Sequence, residues 1–125
     1  MVTGRRDADL IQLVYTSGGG LPLDARELHC LAEELQLVNA RAGLTGLLLH
    51  QGDSFYGVLE GSQRRIFSRI ERMIADPRLG RVRVLKEEAI ASRRFDNWSF
   101  GALPPMQAPS DAAEAFILHL ARRSR

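Results

Sequence analysis

The feature that most constrains the fold is the order in which strand-like and helix-like patterns follow one another. An apolar, partly β-branched run at 10–15 precedes a helical repeat, and two further apolar runs are joined by a hairpin turn at 51–53. A second helical repeat then leads to strand-like runs near 82–90 and 98–102. Hairpins between strands, with helices as crossovers, give the order βαββαβ. We therefore expect a ferredoxin-like α+β sandwich with an added fifth strand and a short C-terminal helix.

Local signals mark the ends of the two main helices. Asp24, followed three residues later by Glu27, is a capping-box pattern, so the first helix is predicted over 25–38. Ser62 is a favourable cap for the second helix, which Asp76-Pro77 ends. The arginines of this second helix are expected on the side opposite its apolar face. The predicted apolar face comprises Ile66, Phe67, Ile70, Met73 and Ile74.

The length of 125 residues is that of one domain with its own core. We expect a domain over 1–103, with its packed core at about 9–103. A proline-containing connection and the C-terminal helix are expected over 104–125, and Ser110 is the predicted cap of that helix.

Composition excludes several classes of protein. The net charge is +2 and the arginines are dispersed apart from a basic end at 122–125, which does not predict nucleic-acid binding. No apolar run approaches the roughly 20 residues needed to cross a bilayer, so no membrane span is expected. Cys30 is the single cysteine, so no disulfide forms within the chain, and we expect a reducing cytoplasm. The helical pattern around Cys30 favours a buried structural thiol.

Familiar enzyme signatures are missing from the chain. The histidines His29, His50 and His119 are scattered without the spacing of metal ligands. No nucleophile elbow, P-loop or G-x-G-x-x-G follows a strand, and the glycines at 18–20 are best explained as a flexible turn. We therefore expect neither catalysis by the chain's own side chains nor a metal site.

More specific chemistry is concentrated in the segments 14–17, 39–46, 55–61 and 92–99. Tyr15 ends a buried strand and would place its hydroxyl at the rim of a cavity. The amide of Asn39 and the rigid donor fork of Arg41 suit a ring with alternating carbonyls and an imide N–H. Each residue also has a structural explanation when taken singly. Tyr15 and Trp98 could fill core volume, Asn39 could end its helix, and Arg41 could be a surface charge.

Taken together and in this order, the four segments resemble the BLUF family of flavin-binding blue-light sensors, from about Leu10 to Leu103. The stretches N-A-R-x-x-L-T-G and L-E-G are specific as a pair, and R-R-F-x-x-W adds weight. The resemblance implies a ferredoxin-like fold with an extra strand. It also implies a flavin, FAD or FMN, held without a covalent bond between the two helices.

The resemblance further implies roles for individual residues. Tyr15 matches the tyrosine that donates an electron and a proton to the excited flavin. Asn39 matches the asparagine that binds the carbonyl and imide edge of the flavin, and Trp98 matches a tryptophan whose position reports the light state. The other implied cofactor-binding residues are two apolar side chains beside the ring and two arginines near its pyrimidine end: Ile11, Phe55, Arg41 and Arg78.

Three positions depart from the family pattern. Gly57 stands where the family has the glutamine whose amide bonds both flavin and tyrosine and changes in the light response. Phe100 replaces a methionine, and Leu79 replaces a frequent histidine. A glycine inside a strand also indicates a bulge or a close approach, with the cavity either partly collapsed or filled by Tyr56 or Phe100.

These observations lead to two hypotheses. The first is a BLUF-type flavin-binding module with lost or altered photochemistry, acting as a small regulatory protein through an unidentified protein partner or as a homo-oligomer. The alternative is a flavin-free protein-interaction domain that keeps only the fold.

Overall fold

The computed structural model describes residues 9–103 and 110–123. The predicted order of strands and helices, including the fifth strand, is confirmed, and the C-terminal helix has 14 residues. The connection predicted at 104–109 lies outside the described residues, and so does the environment of the expected cap, Ser110. The elements are β1 (Leu10–Gly18), α1 (Ala25–Arg41), β2 (Thr45–Gln51), β3 (Ser54–Ser62), α2 (Gln63–Ile74), β4 (Arg81–Ala89), β5 (Trp98–Ala102) and α3 (Ser110–Arg123).

The five strands form one mixed sheet in the order β4-β1-β3-β2-β5. Strand β1 pairs antiparallel with both β3 and β4, and β2 pairs antiparallel with β3. Strand β5 joins the far edge parallel to β2. In this register Tyr15 lies directly opposite Gly57 on β3, and Gly57 in turn lies opposite Leu48 on β2.

Two separate apolar layers cover the two faces of the sheet. Helices α1 and α2 pack on the face that carries Ile11, Leu13 and Tyr15 of β1. Helix α3 packs on the other face, against a cluster that includes Val14 and Tyr56. Successive residues of a strand point to opposite faces, so β1 can supply both layers. Among the described helices, none is long and apolar enough to span a bilayer.

Both helix starts agree with the sequence signals. The Asp24 carboxylate accepts a hydrogen bond from the backbone N–H of Glu27 at 2.8 Å, and the Glu27 side chain accepts one from Asp24 N–H at 2.9 Å. Ser62 caps α2 in the predicted way. Helix α1, however, continues to Arg41, because the chain first adopts a left-handed conformation at Gly43, with φ 70°.

Some residues predicted to be buried are exposed. The Cys30 thiol is free and exposed, which corrects the prediction of a buried thiol. Its neighbour Leu31 faces the sheet, and one helical step rotates a side chain by roughly 100°. The same rotation explains why Phe67 and Ile74, predicted on the apolar face of α2, are 41% and 61% exposed. Each comes one residue after a buried side chain, Ile66 or Met73.

Candidate functional site

Tyr15 and Gly57 lie opposite each other on the sheet face beneath α1 and α2. The Tyr15 side chain is 3% exposed and belongs to the same core cluster as Ile11 and Phe55. A Cβ atom built on Gly57 would lie 2.5 Å from both the hydroxyl oxygen and Cε1 of Tyr15. The tyrosine ring therefore occupies the space in which a side chain at position 57 would begin.

This placement corrects the expectation that Tyr56 or Phe100 fills the space left by the glycine. The side chain of Tyr56 belongs to the opposite apolar layer, beneath α3. Burial raises the pKa of the Tyr15 phenol well above its ordinary value of 10.0, and the nearby Arg69 guanidinium opposes that rise. Tyr15 is therefore a neutral phenol at physiological pH.

A cavity of about 400 Å³ opens between α1 and α2. This volume is within the range of ordinary small-molecule pockets, roughly 300–1,000 Å³. The α1 side contributes apolar surface from Val38 and Ala42 together with the carboxylate of Glu34, and the α2 side is polar and charged. The lining residues are Glu34, Val38, Ala42, Arg65, Ser68, Arg69, Arg72 and Asp76.

Buried polar atoms without a partner are concentrated on this side of the molecule. Across the described residues, the buried side-chain nitrogen and oxygen atoms that lack a hydrogen bond are Ser17 Oγ, Asn39 Oδ1, Arg69 Nε and Trp98 Nε1. They come from β1, α1, α2 and β5, the elements that surround the helix-covered face. An unpaired buried polar atom costs roughly 1–3 kcal/mol. Of these four residues, Arg69 lines the inter-helix cavity.

The opposite face of the sheet shows that this chain can satisfy buried polar groups. The fully buried carboxylate of Glu60 accepts hydrogen bonds from Gln12 at 3.0 Å and from the backbone N–H groups of Arg94 and Phe95. Gln12 also donates to the Ala121 carbonyl of α3 at 2.9 Å. The unpartnered atoms are thus a property of the helix-covered side.

Asn39 and Arg41 were predicted together, but the structure separates them. Asn39 is buried in the last turn of α1, and its backbone carbonyl accepts a hydrogen bond from Leu44 N–H at 2.9 Å. Arg41 is the last residue of α1, and its side chain is exposed. Two positions along a helix turn a side chain by roughly 200°, so the two residues cannot share one face.

Arg78 lies in an ion-pair network that ties α1 to the segment after α2. Its guanidinium donates to Glu34 at 2.7 Å and to Asp76 at 2.8 Å. Hydrogen bonding from Arg78 holds the pKa of both carboxyls below their ordinary values. Arg78 therefore links two carboxylates of the cavity wall without lining the cavity itself.

The three remaining predicted positions are part of the packed core or its edge. Trp98 is 5% exposed, and its ring lies 6.4 Å from that of Phe100, centroid to centroid. Phe100 stacks on His50 at 5.6 Å. Leu79 is 1% exposed and packs in the helix-covered core. Position 79 therefore contributes apolar packing instead of a polar group.

Arg69 is the residue that the sequence prediction assigned to the wrong side of its helix. It follows the buried Ile66 by three positions and precedes the buried Met73 by four, so it lies on the buried face of α2. This spacing separates Arg69 from the exposed arginines of the same helix. Among the described residues, no group of three or more histidine, cysteine or acidic side chains could hold a metal.

Comparison with known proteins identifies the family of this chain. The family described as "BLUF: Sensors of blue-light using FAD" matches residues 10–101. The chain belongs to the BLUF family. It is therefore a blue-light flavin sensor module, and the flavin-free interaction domain is not favoured. A BLUF domain is a sensor rather than a catalytic domain.

Solved BLUF structures share the fold. The chain is 26% identical to "BlrB - a BLUF protein, dark state structure", with a TM-score of 0.73 and coverage of 94% of this chain and 98% of that one. It is 30% identical to "BlrP1 BLUF", with a TM-score of 0.66 and coverage of 91% and 77%. In a cyclic-di-GMP complex of Klebsiella pneumoniae BlrP1, also 30% identical with a TM-score of 0.66, the match covers 90% of this chain but 28% of that one. The search of the curated proteins gave no match.

Proposed function

We propose that this BLUF domain binds its flavin between α1 and α2, and that the light response which passes through position 57 is lost or altered. The observation that carries the proposal is the position of the Tyr15 ring, in the space of the missing Gly57 side chain. The unpartnered polar atoms on the same side of the sheet support binding of a flavin there.

The chain's own residues fit the polar edge of a flavin. Within the described part of the chain, Asn39 Oδ1 is a buried acceptor without a partner and Arg69 Nε a buried donor without one. The first would complement an imide N–H and the second a carbonyl. We propose that Ile11 and Phe55 supply apolar contact beside the ring, and that Arg41 and Arg78 act at the rim. When bound, the flavin (FAD or FMN) supplies the absorption of blue light. FAD is the cofactor in the family's description.

The altered response follows from the chemistry of position 57. A glutamine side chain can donate and accept hydrogen bonds at once, and it can rotate between tyrosine and flavin. Gly57 has no side chain, so neither rotation nor tautomerisation is available there. A water molecule could replace one hydrogen bond. It is not attached to the strand, so it cannot transmit a change as a glutamine side chain does. The Trp98–Phe100 pair likewise lacks the family's methionine.

Flavin binding is tested by titrating apoprotein with FAD and with FMN and following fluorescence quenching. Asn39→Ala should weaken binding about tenfold, because one hydrogen bond to a buried polar edge is worth roughly 1–1.5 kcal/mol. Gln36→Ala is the matched control, since this amide lies on the exposed side of the same helix. If neither flavin binds stoichiometrically, the proposal is wrong and a flavin-free interaction domain becomes the better explanation.

We further propose that the output passes through a separate protein partner or through self-association. Exposed apolar side chains such as Leu37, Ile74 and Phe116 are available for such contacts. Light scattering coupled to size-exclusion chromatography, with and without flavin, measures self-association. A monomer at all concentrations would leave a separate partner as the remaining route. A cytoplasmic location stays a prediction based on the single cysteine.

A further inference from the structure

Arg78 compensates the negative charge in the wall of the inter-helix cavity. The cavity's two carboxylates, Glu34 and Asp76, both accept hydrogen bonds from this one guanidinium. Neither carboxylate forms a salt bridge with Arg69 among the described residues. The acidic part of the wall is therefore already engaged by a cation outside the cavity lining.

The α2 side of the same wall carries more positive charge than these two carboxylates can balance. Arg65 donates to the Ala42 carbonyl at 2.9 Å, a neutral acceptor. Arg69 and Arg72 complete the set of arginines that line the cavity. Three lining arginines together with Arg78 give four positive charges against two negative ones, which leaves an excess of two.

Arg69 is the most constrained of these arginines. Its Nε is buried and lacks a hydrogen-bond partner among the described residues, and the side chain lies close enough to Tyr15 to influence its titration. Burial lowers the pKa of the Arg69 guanidinium, and this effect outweighs the opposing influence of Tyr15, Asp76 and Glu34. A partly buried cation with an unused donor is unfavourable alone and gains from an anionic ligand.

We propose that the cavity binds the anionic reduced form of flavin more tightly than the oxidised form, and that Arg69 sets this preference. Reduction of the flavin ring by two electrons and one proton, supplied by an external reductant, leaves a negative charge on the ring above neutral pH. The excess positive charge of the arginine wall stabilises that negative charge, whereas the neutral oxidised ring gains less. The module then responds to the redox state of its flavin. This inference rests on the proposed flavin site between α1 and α2.

The test uses riboflavin, which has no phosphate, so that any effect arises from the ring. The midpoint potential of riboflavin is measured free and bound, under anaerobic conditions at pH 8 with dithionite as reductant. We expect the reduced form to bind at least tenfold more tightly, which corresponds to a rise of about 30 mV for a two-electron couple. Arg69→Gln should abolish the rise, and Arg69→Lys should retain it. Arg64→Gln, an exposed change of equal charge on the same helix, should leave it unchanged.

The outcomes separate this inference from the proposed function. Equal binding of both redox forms by the unmodified protein, or a preference that survives Arg69→Gln, overturns the inference while leaving flavin binding intact. Binding of FMN but not riboflavin also overturns it, because the arginines would then serve the phosphate. Failure to bind any flavin in either redox state overturns the proposed function as well. The unmodified protein alone tests the preference, so the result does not depend on how well the Gln variant folds.

Discussion

Substituting alanine for Gly57 would place a methyl group where the Tyr15 ring now lies. The added carbon would be 2.5 Å from the tyrosine hydroxyl oxygen, well inside van der Waals contact. The ring, the strand or both must therefore shift. The neighbouring strands hold the backbone on both sides, since Gly57 pairs with Tyr15 and with Leu48.

The magnitude follows from two opposing effects. Replacing a glycine inside a strand should by itself stabilise the protein by roughly 0.5–1 kcal/mol. Overpacking a core by one methyl group costs roughly 1–3 kcal/mol. We therefore predict that Gly57→Ala lowers the free energy of unfolding by about 1–2 kcal/mol. Gly101→Ala is the matched control, because among the described residues its Cβ would meet Leu49 Cδ2 at an ordinary 3.4 Å. This control should be neutral or slightly stabilising.

Urea unfolding followed by circular dichroism measures both variants, and a double-mutant cycle isolates the contact. In a Tyr15→Val background the ring is gone, so Gly57→Ala should no longer destabilise, and the coupling energy should reach about 1 kcal/mol or more. If Gly57→Ala is harmless in both backgrounds, the Tyr15 ring does not occupy the space beside Gly57 in solution. The account of how the space beside position 57 is filled would then be wrong, whereas the absence of an amide at Gly57 would stand.

Other positions give independent predictions. Leu79→Ala should cost about 2–5 kcal/mol in urea unfolding, because the side chain is 1% exposed, whereas the exposed Leu37→Ala should change stability by less than about 0.5 kcal/mol. Arg78→Gln should cost about 1 kcal/mol at pH 7. Its carboxylate partners have lowered pKa values when folded, so this difference should be present above about pH 4.5 and disappear as acid protonates Asp76. An unchanged difference at pH 2 would contradict that assignment. Cys30 should react with Ellman's reagent in the folded protein; a protected thiol would refute its exposure.

The sequence was sufficient for the order of elements because local signals decide where helices and strands begin. The capping box at Asp24 and the serine cap at Ser62 are read from residues three positions apart, and both were found. The end of α1 was harder to predict from the sequence. It depends on where the chain first adopts a left-handed conformation, which is at Gly43.

The candidate site could be predicted only in part because it depends on pairings between distant segments. That Tyr15 lies opposite Gly57 follows from the register of β1 and β3, which are 42 positions apart at this pair. The rotation of an amphipathic helix is also uncertain by one residue, roughly 100°, from sequence alone. That uncertainty explains the difference between the predicted and observed exposure of Cys30. The inward position of Arg69 follows instead from its spacing to Ile66 and Met73.

The most direct test of the account is the absorption spectrum of the flavin-loaded protein, recorded before blue illumination, immediately after it, and after recovery in the dark. We expect a bound-flavin spectrum with no reversible red shift, because Gly57 provides no side-chain amide to reorganise hydrogen bonds at the ring. Gly57→Gln, measured in parallel, shows whether the rest of the pocket can support the response once the amide returns. A normal, reversible red shift in the unmodified protein would contradict the central claim.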